Sequence, residues 1–261
     1  MRVVLGLEYF GAAYTGWQSQ RDGRGIQDAL ERALAAIADS DVRTIVAGRT
    51  DARVHATMQV VHFDTGAARP VTAWVRGVNA NLRSDIGVLW AQPVGDGFHA
   101  RRAATARHYV YALLNRPVRP ALLAGRAGWY HHPLDIARMI ESARVLVGTH
   151  DFSAFRAAQC QARSPTRTLT TLRIAVTGDF IYFDFCANAF LHHMIRNIVG
   201  ALVYVGANKR PPSWIGELLA GRDRTRAAPT FAPEGLYLTG ADYNPQWGLP
   251  MTRRPLLPLM G

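Results

Sequence analysis

Gly48-Arg49-Thr50-Asp51-Ala52-Arg53-Val54-His55-Ala56 lies between a β-branched run at 42–46 and an apolar stretch at 59–64. The flanks read as strands, because β-branched residues and alternating apolar patterns suit a pleated surface. The charged segment is therefore expected to be a loop held between two strands. It gathers two guanidinium groups, a carboxylate, a hydroxyl and an imidazole. A carboxylate between Arg49 and Arg53 stays ionised, since nearby positive charge favours its charged form. An ionised Asp51 suits a nucleophile or electrostatic stabiliser better than a general acid. The plainer alternative is that Asp51 caps a turn and the arginines sit in solvent.

Outward toward the N-terminus, Val3, Leu5 and Leu7 alternate within 2–9 and predict a strand, followed by a glycine-bearing loop over 11–25. Residues 26–37 place Ile26, Leu30, Ala33, Leu34 and Ile37 on one helical stripe. Outward the other way, 71–82 reads as a weaker helix and 86–92 as a strand. Next, 108–114 reads as a strand with Tyr109, Tyr111 and Leu113 on one face, then a loop marked by Pro117 and Pro120. A helix over 134–147 is expected to stop at Gly148. Strands at 168–177 and 180–187 flank the turn Thr177-Gly178-Asp179. Residues 189–205 are apolar nearly all round and predict a buried helix. A helix opened by proline at 212–220 and a strand at 236–243 complete the pattern. This order predicts an α+β protein of two sheet-and-helix halves, 1–104 and 105–243. The proline-bearing residues 244–261 are expected to form an extended tail.

The chain has 261 residues, 49% hydrophobic and 19% charged, which is enough to bury a substantial core. Its net charge is +11, and only Lys209 among the thirty basic residues is a lysine. Residues 1–104 carry twelve arginines against ten acids, whereas 105–261 carry eighteen basic residues against nine acids. That excess fits a polyanion-binding surface, with a solvated basic face as the alternative. The most apolar stretch, 195–205, is too short to span a bilayer and is broken by Arg196 and Asn197. Glu8 interrupts any signal-peptide core, so a cytoplasmic location and no membrane association are expected. Cys160 and Cys186 fit neither a zinc pattern nor a disulfide framework. The neighbours in His131-His132 and His192-His193 point in different directions, which makes poor metal sites. Neither a Gly-x-x-x-x-Gly-Lys phosphate loop nor a Gly-x-Ser-x-Gly elbow is present.

An ordered set of segments carries a more specific signal. Glu8-Tyr-Phe-Gly11, Tyr14-Thr-Gly-Trp-Gln18 and Gly25-Ile-Gln27 precede the Asp51 loop. Phe98-His-Ala-Arg101, Ala106-Arg-His-Tyr-Val-Tyr111 and Asp151-Phe-Ser-Ala-Phe-Arg156 follow it. Asn188-Ala-Phe-Leu-His-His-Met-Ile-Arg-Asn-Ile-Val-Gly200 and Glu234-Gly-Leu-Tyr-Leu238 complete the series. In this order the set resembles the tRNA pseudouridine synthase A family, whose members isomerise uridines at positions 38 to 40 of the anticodon stem-loop. The resemblance covers the chain to about Tyr243 and implies that family's fold, with mostly antiparallel mixed sheets and a central active-site cleft.

The resemblance also implies roles for single residues. Asp51 corresponds to the catalytic aspartate and Arg196 to the arginine that pairs with it. A guanidinium on an apolar helix is costly unless partnered, which agrees with that assignment. Tyr109 corresponds to the tyrosine that stacks on the target base, and Leu236 to the apolar residue closing the pocket. Arg49 corresponds to the arginine that holds the target nucleotide out of its stack. Arg53 departs from the pattern, because the family has glycine there and arginine resists a positive φ. Either an ordinary backbone or a further phosphate contact is expected of it. The implied partners are tRNA and a second copy of the chain, with no metal and no small-molecule cofactor.

Overall fold

The computed structural model describes residues 1–256. In chain order its main elements are β1 (Arg2–Tyr9), α1 (Ile26–Ala38), β2 (Thr44–Val46), β3 (His55–Asp64), α2 (Val78–Asn81), β4 (Ile86–Val94) and β5 (Ala106–Asn115). They continue with β6 (Gly128–Tyr130), α3 (Ile136–Ala143), β7 (Gly148–Asp151), β8 (Thr166–Thr177), β9 (Phe180–Ala187), α4 (Met194–Gly206), α5 (Trp214–Gly221) and β10 (Leu236–Asp242). The α+β class expected from sequence is what the chain adopts, and the ladders are mostly antiparallel. Two compact units form: Met1–Arg107 with the stretch from Tyr237 onward, and His108–Leu236.

In the first unit the strands run in the order β4-β1-β3-β10, with β2 paired to β3. β1 lies antiparallel between β3 and β4, burying Val3, Val4, Leu5 and Leu7. Such runs, buried on both faces, lose the simple alternation of a half-exposed strand. α1 covers this sheet with Ile26, Leu30, Ala33 and Leu34, the stripe its sequence spacing predicts. Its start is fixed by the Asp28 carboxylate, which accepts from the Gly25 N–H at 2.9 Å. Glu31, buried on the same helix, accepts from both Thr44 N–H (2.7 Å) and Thr44 Oγ1 (2.9 Å) and so ties α1 to β2.

The structure moves several expected boundaries. β3 begins at His55, not at 59, because Tyr237 and Leu238 of β10 pair in parallel with His55 and Ala56. That pairing comes from the far end of the chain and leaves no local signal. It also draws the final strand, which sequence order groups with 105–243, into the first unit from Tyr237 onward. The tail is not simply extended. Pro245–Trp247 form a 3₁₀ turn, Gly240 bridges antiparallel to Arg253, and Arg254 pairs with Glu8 on β1. The remainder of that expected tail, 257–261, lies outside the described residues.

In the second unit the order is β5-β9-β8-β7, with β6 parallel to β5. β8 and β9 form the expected hairpin, its turn made possible by Gly178 at φ +54°. α3 stops short of 147: its last residues tighten into a 3₁₀ turn, Arg144–Leu146, before Gly148 opens β7. α4 begins at Met194 rather than 189, because His193 adopts a left-handed φ of +62° that a continuous helix cannot contain. Ile198, Val199 and Leu202 of α4 are completely buried, each contributing about 1.5–3 kcal/mol. Among the described residues no helix is long and apolar enough to cross a membrane.

One buried histidine makes the first unit acid-sensitive. His62 on β3 accepts the Ala100 N–H at Nδ1 (3.1 Å), and its ring lies 5.1 Å from that of His99. Burial, reinforced by the nearby Arg2 and His99 charges and opposed by Asp64, pushes its pKa down to about 4. The unfolded chain, with an ordinary histidine pKa of about 6.5, therefore takes up the proton first. The stability from keeping His62 neutral is present above pH 6.5 and is lost as pH falls toward 4. From this group alone, unfolding in urea at pH 5 should show about 2 kcal/mol less stability than at pH 7. His62→Gln, which can still accept the Ala100 N–H, should lack that component; an identical pH slope in both proteins would refute the assignment.

Candidate active site

Asp51 sits half-buried in the loop between β2 and β3, and neighbours fix that loop on each side. Before it, the buried Tyr9 hydroxyl and Thr50 Oγ1 share a hydrogen bond of 2.8 Å. Burial pushes the Tyr9 pKa up to about 12, so the hydroxyl keeps its proton. Gln59 Nε2 donates to the Gly48 carbonyl at 2.7 Å, and the Thr50 carbonyl accepts from Trp17 N–H at 3.0 Å. After it, Val54 N–H donates to the Asp51 carbonyl at 3.2 Å. His55 then locks the exit: its Nδ1 accepts from Gly11 N–H (2.9 Å) and its ring stacks on Phe10 with centroids 4.7 Å apart.

The segment 10–17 thus packs directly against the loop backbone. Gly16, at φ +107°, allows this approach, since a Cβ there would lie 2.8 Å from the Thr50 carbonyl oxygen. Arg49 and Arg53 are exposed on either side of Asp51. The structure overturns the expectation of an ordinary backbone at Arg53, which has φ +66° and donates its N–H to the Tyr14 carbonyl at 3.3 Å. The loop keeps the left-handed geometry that glycine would supply, at a cost for an L side chain of about 1–2 kcal/mol.

The other candidates lie in the second unit. Tyr109, on β5, is buried and meets the edge of Phe190, with centroids 5.1 Å apart and planes at 81°. Leu236, also buried, follows Gly235, where a Cβ would come within 2.6 Å of the Tyr111 ring. Arg196 is half-buried on the first turn of α4. Its Nε donates to the Phe231 carbonyl at 2.9 Å, and its own carbonyl accepts from Phe231 N–H at 3.2 Å.

Arg49, Asp51 and Arg53 therefore share one loop, while Tyr109, Arg196 and Leu236 sit on three separate elements of the other unit. Sequence patterns assigned no role to Tyr9, Gln59 or His55. Their signal lay only in the cluster of glycines and aromatics at 9–17, which marks a backbone closely packed on something else.

Comparison with known proteins gives concordant results. The family described as tRNA pseudouridine synthase matches residues 5–101 and 142–244. A protein of Aromatoleum aromaticum named tRNA pseudouridine synthase A is 59% identical over 96% of this chain and 95% of its own length. Proteins of the same name from Chromobacterium violaceum (58% identity, 96% of each chain) and Methylobacillus flagellatus (56% identity, 98% of each chain) are similarly close.

The left-handed Arg53 yields a graded expectation. Arg53→Val puts a β-branched residue at positive φ and should cost about 1–2 kcal/mol of stability. Arg53→Gly relieves the strain but adds freedom to the unfolded chain, leaving stability within about 1 kcal/mol of the parent. Denaturant midpoints should rank valine below arginine and glycine at or above it. Three coincident midpoints would contradict the strain at this position.

Proposed function

This chain belongs to the tRNA pseudouridine synthase family, and from that membership we propose that it isomerises uridines 38, 39 and/or 40 of the tRNA anticodon stem-loop with Asp51 as its catalytic carboxylate. The observation that carries the assignment is the anchoring of the Asp51 loop by Tyr9, Gln59 and His55, which holds one half-buried carboxylate on an otherwise irregular segment. Catalysis by a side chain demands such pre-set geometry.

The reaction breaks the C1′–N1 glycosidic bond, turns the uracil and joins C5 to C1′; the hydrogen on C5 leaves as a proton. No electrons are gained or lost overall. An ionised carboxylate opens that bond either by attack at C1′ or by taking a proton from C2′, and both routes need Asp51 charged and within reach of the ribose. The flanking Arg49 and Arg53 favour that charged state. The target nucleotide must leave its stack, which costs a few kcal/mol, and an aromatic face and an apolar wall offset part of that loss. Tyr109 and Leu236 are assigned those tasks. Arg196 is assigned the positive charge that balances Asp51, and Arg49 and Arg53 the contacts that hold the extruded nucleotide.

The net charge of +11 supports a phosphate-rich partner. A cytoplasmic location and a homodimer belong to the same reading; light scattering tests the latter, with twice the chain mass expected.

Asp51→Ala should bind unmodified tRNA with an affinity close to the parent's and form no pseudouridine, as followed by release of tritium from C5-labelled uridine. Product formation by that variant at the parental rate would remove Asp51 from the chemistry. Binding should also weaken steeply as salt rises from 50 to 200 mM, by about 10³-fold or more if six phosphates are contacted.

A further inference from the structure

We propose that Asn197 is a positioning residue for Arg196, acting through the loop 228–231; the inference rests on the role assigned to Arg196 above. The two residues are adjacent on α4, and adjacent helical side chains point about 100° apart, so any coupling must run through a third element.

Asn197 is completely buried, and both polar atoms of its side chain are hydrogen-bonded. Nδ2 donates to the Phe155 carbonyl at 2.7 Å. Oδ1 accepts from Thr230 Oγ1 at 2.7 Å and from Arg224 Nη2 at 3.1 Å. Arg224 closes the network, its Nη2 reaching Thr230 Oγ1 at 3.2 Å and its Nη1 the Ala228 carbonyl at 2.9 Å. The loop is thereby fixed at 228 and at 230. The next residue, Phe231, holds Arg196 on both sides, its carbonyl accepting from Nε and its N–H donating to the Arg196 carbonyl. Beyond it, the Tyr111 hydroxyl donates to the Ala232 carbonyl at 2.7 Å.

A guanidinium is planar, so fixing the direction of Nε–H fixes where both Nη groups point. Residue identity matters at each step. Aspartate at 197 could not donate to the Phe155 carbonyl. Leucine would strand that carbonyl, the Thr230 hydroxyl and one face of Arg224 together. The network is built of neutral acceptors around one cation, Arg224, whose pKa is lowered by burial. It is a rigid seat for the loop that aims Arg196.

The test is a double-mutant cycle read in single-turnover rate constants on tRNA, with tRNA affinity measured alongside. Asn197→Ala and the milder, nearly isosteric Thr230→Val should lower the rate by about tenfold to a hundredfold, as misorientation of a catalytic group does. Affinity for tRNA should stay within about twofold. In an Arg196→Lys background, which has already lost the planar fork, either substitution should lower the rate by no more than about twofold. Full multiplication of the losses in that background overturns the inference and leaves the role of Arg196 standing. An Arg196→Lys enzyme as fast as the parent instead removes Arg196 from catalysis, and this inference with it. Should Asn197→Ala not fold, Thr230→Val carries the same cycle.

Discussion

The hydrogen bond between the Tyr9 hydroxyl and Thr50 Oγ1 fixes the chain one residue before Asp51. An irregular loop has no ladder of its own, so its precision is borrowed from elements that do. Tyr9 ends β1, Gln59 lies on β3, and His55 opens β3 against Phe10 and Tyr237. Three anchors within the eight residues 48–55 hold the backbone on both sides of Asp51. Removing Tyr9 from water would be expensive without the Thr50 partner, and the burial that raises its pKa keeps the hydroxyl neutral across physiological pH.

The second unit solves the corresponding problem for a cation by a different device. α4 is apolar on nearly all sides, which roots it in the core, and Arg196 is carried half-buried on its first turn. A long flexible side chain there would sample many rotamers. Backbone groups of Phe231 restrain it at both its carbonyl and its Nε. Rigidity thus comes from regular structure in the helix and from paired polar groups in the loop facing it.

Much of this was legible in the sequence, and the parts that were not share a cause. α1 and β9 follow from periodicity, since each buries a face that its own residues define, and β1 from its apolar run. β6 and β7 are three and four residues long; their pairing depends on distant partners, and nothing local announces them. The start of α4 carries no sequence signal: Ala189–Leu191 are as apolar as the helix proper, while the break is a backbone conformation at His193. Arg53 shows the same blindness from the opposite side: residue type argued for an ordinary φ, and tertiary contacts imposed a left-handed one. At the site, the roles assigned to Asp51 and Arg196 come from family resemblance, because charge patterning alone reads Asp51 first as a turn cap. The residues that hold them, Tyr9 and Asn197, look like ordinary core and helix residues until their partners are known.

The return of β10 to the first unit bears on how the polypeptide is made. A ribosome releases residues in order, so the whole of His108–Leu236 has emerged before the strand that pairs with His55 and Ala56 exists outside the exit tunnel. The Asp51 loop runs directly into β3, the strand that carries His55 and Ala56. Throughout most of translation, therefore, the nascent chain carries its Asp51 loop beside an unfinished sheet, and a strand made after the whole second unit is the one that completes it.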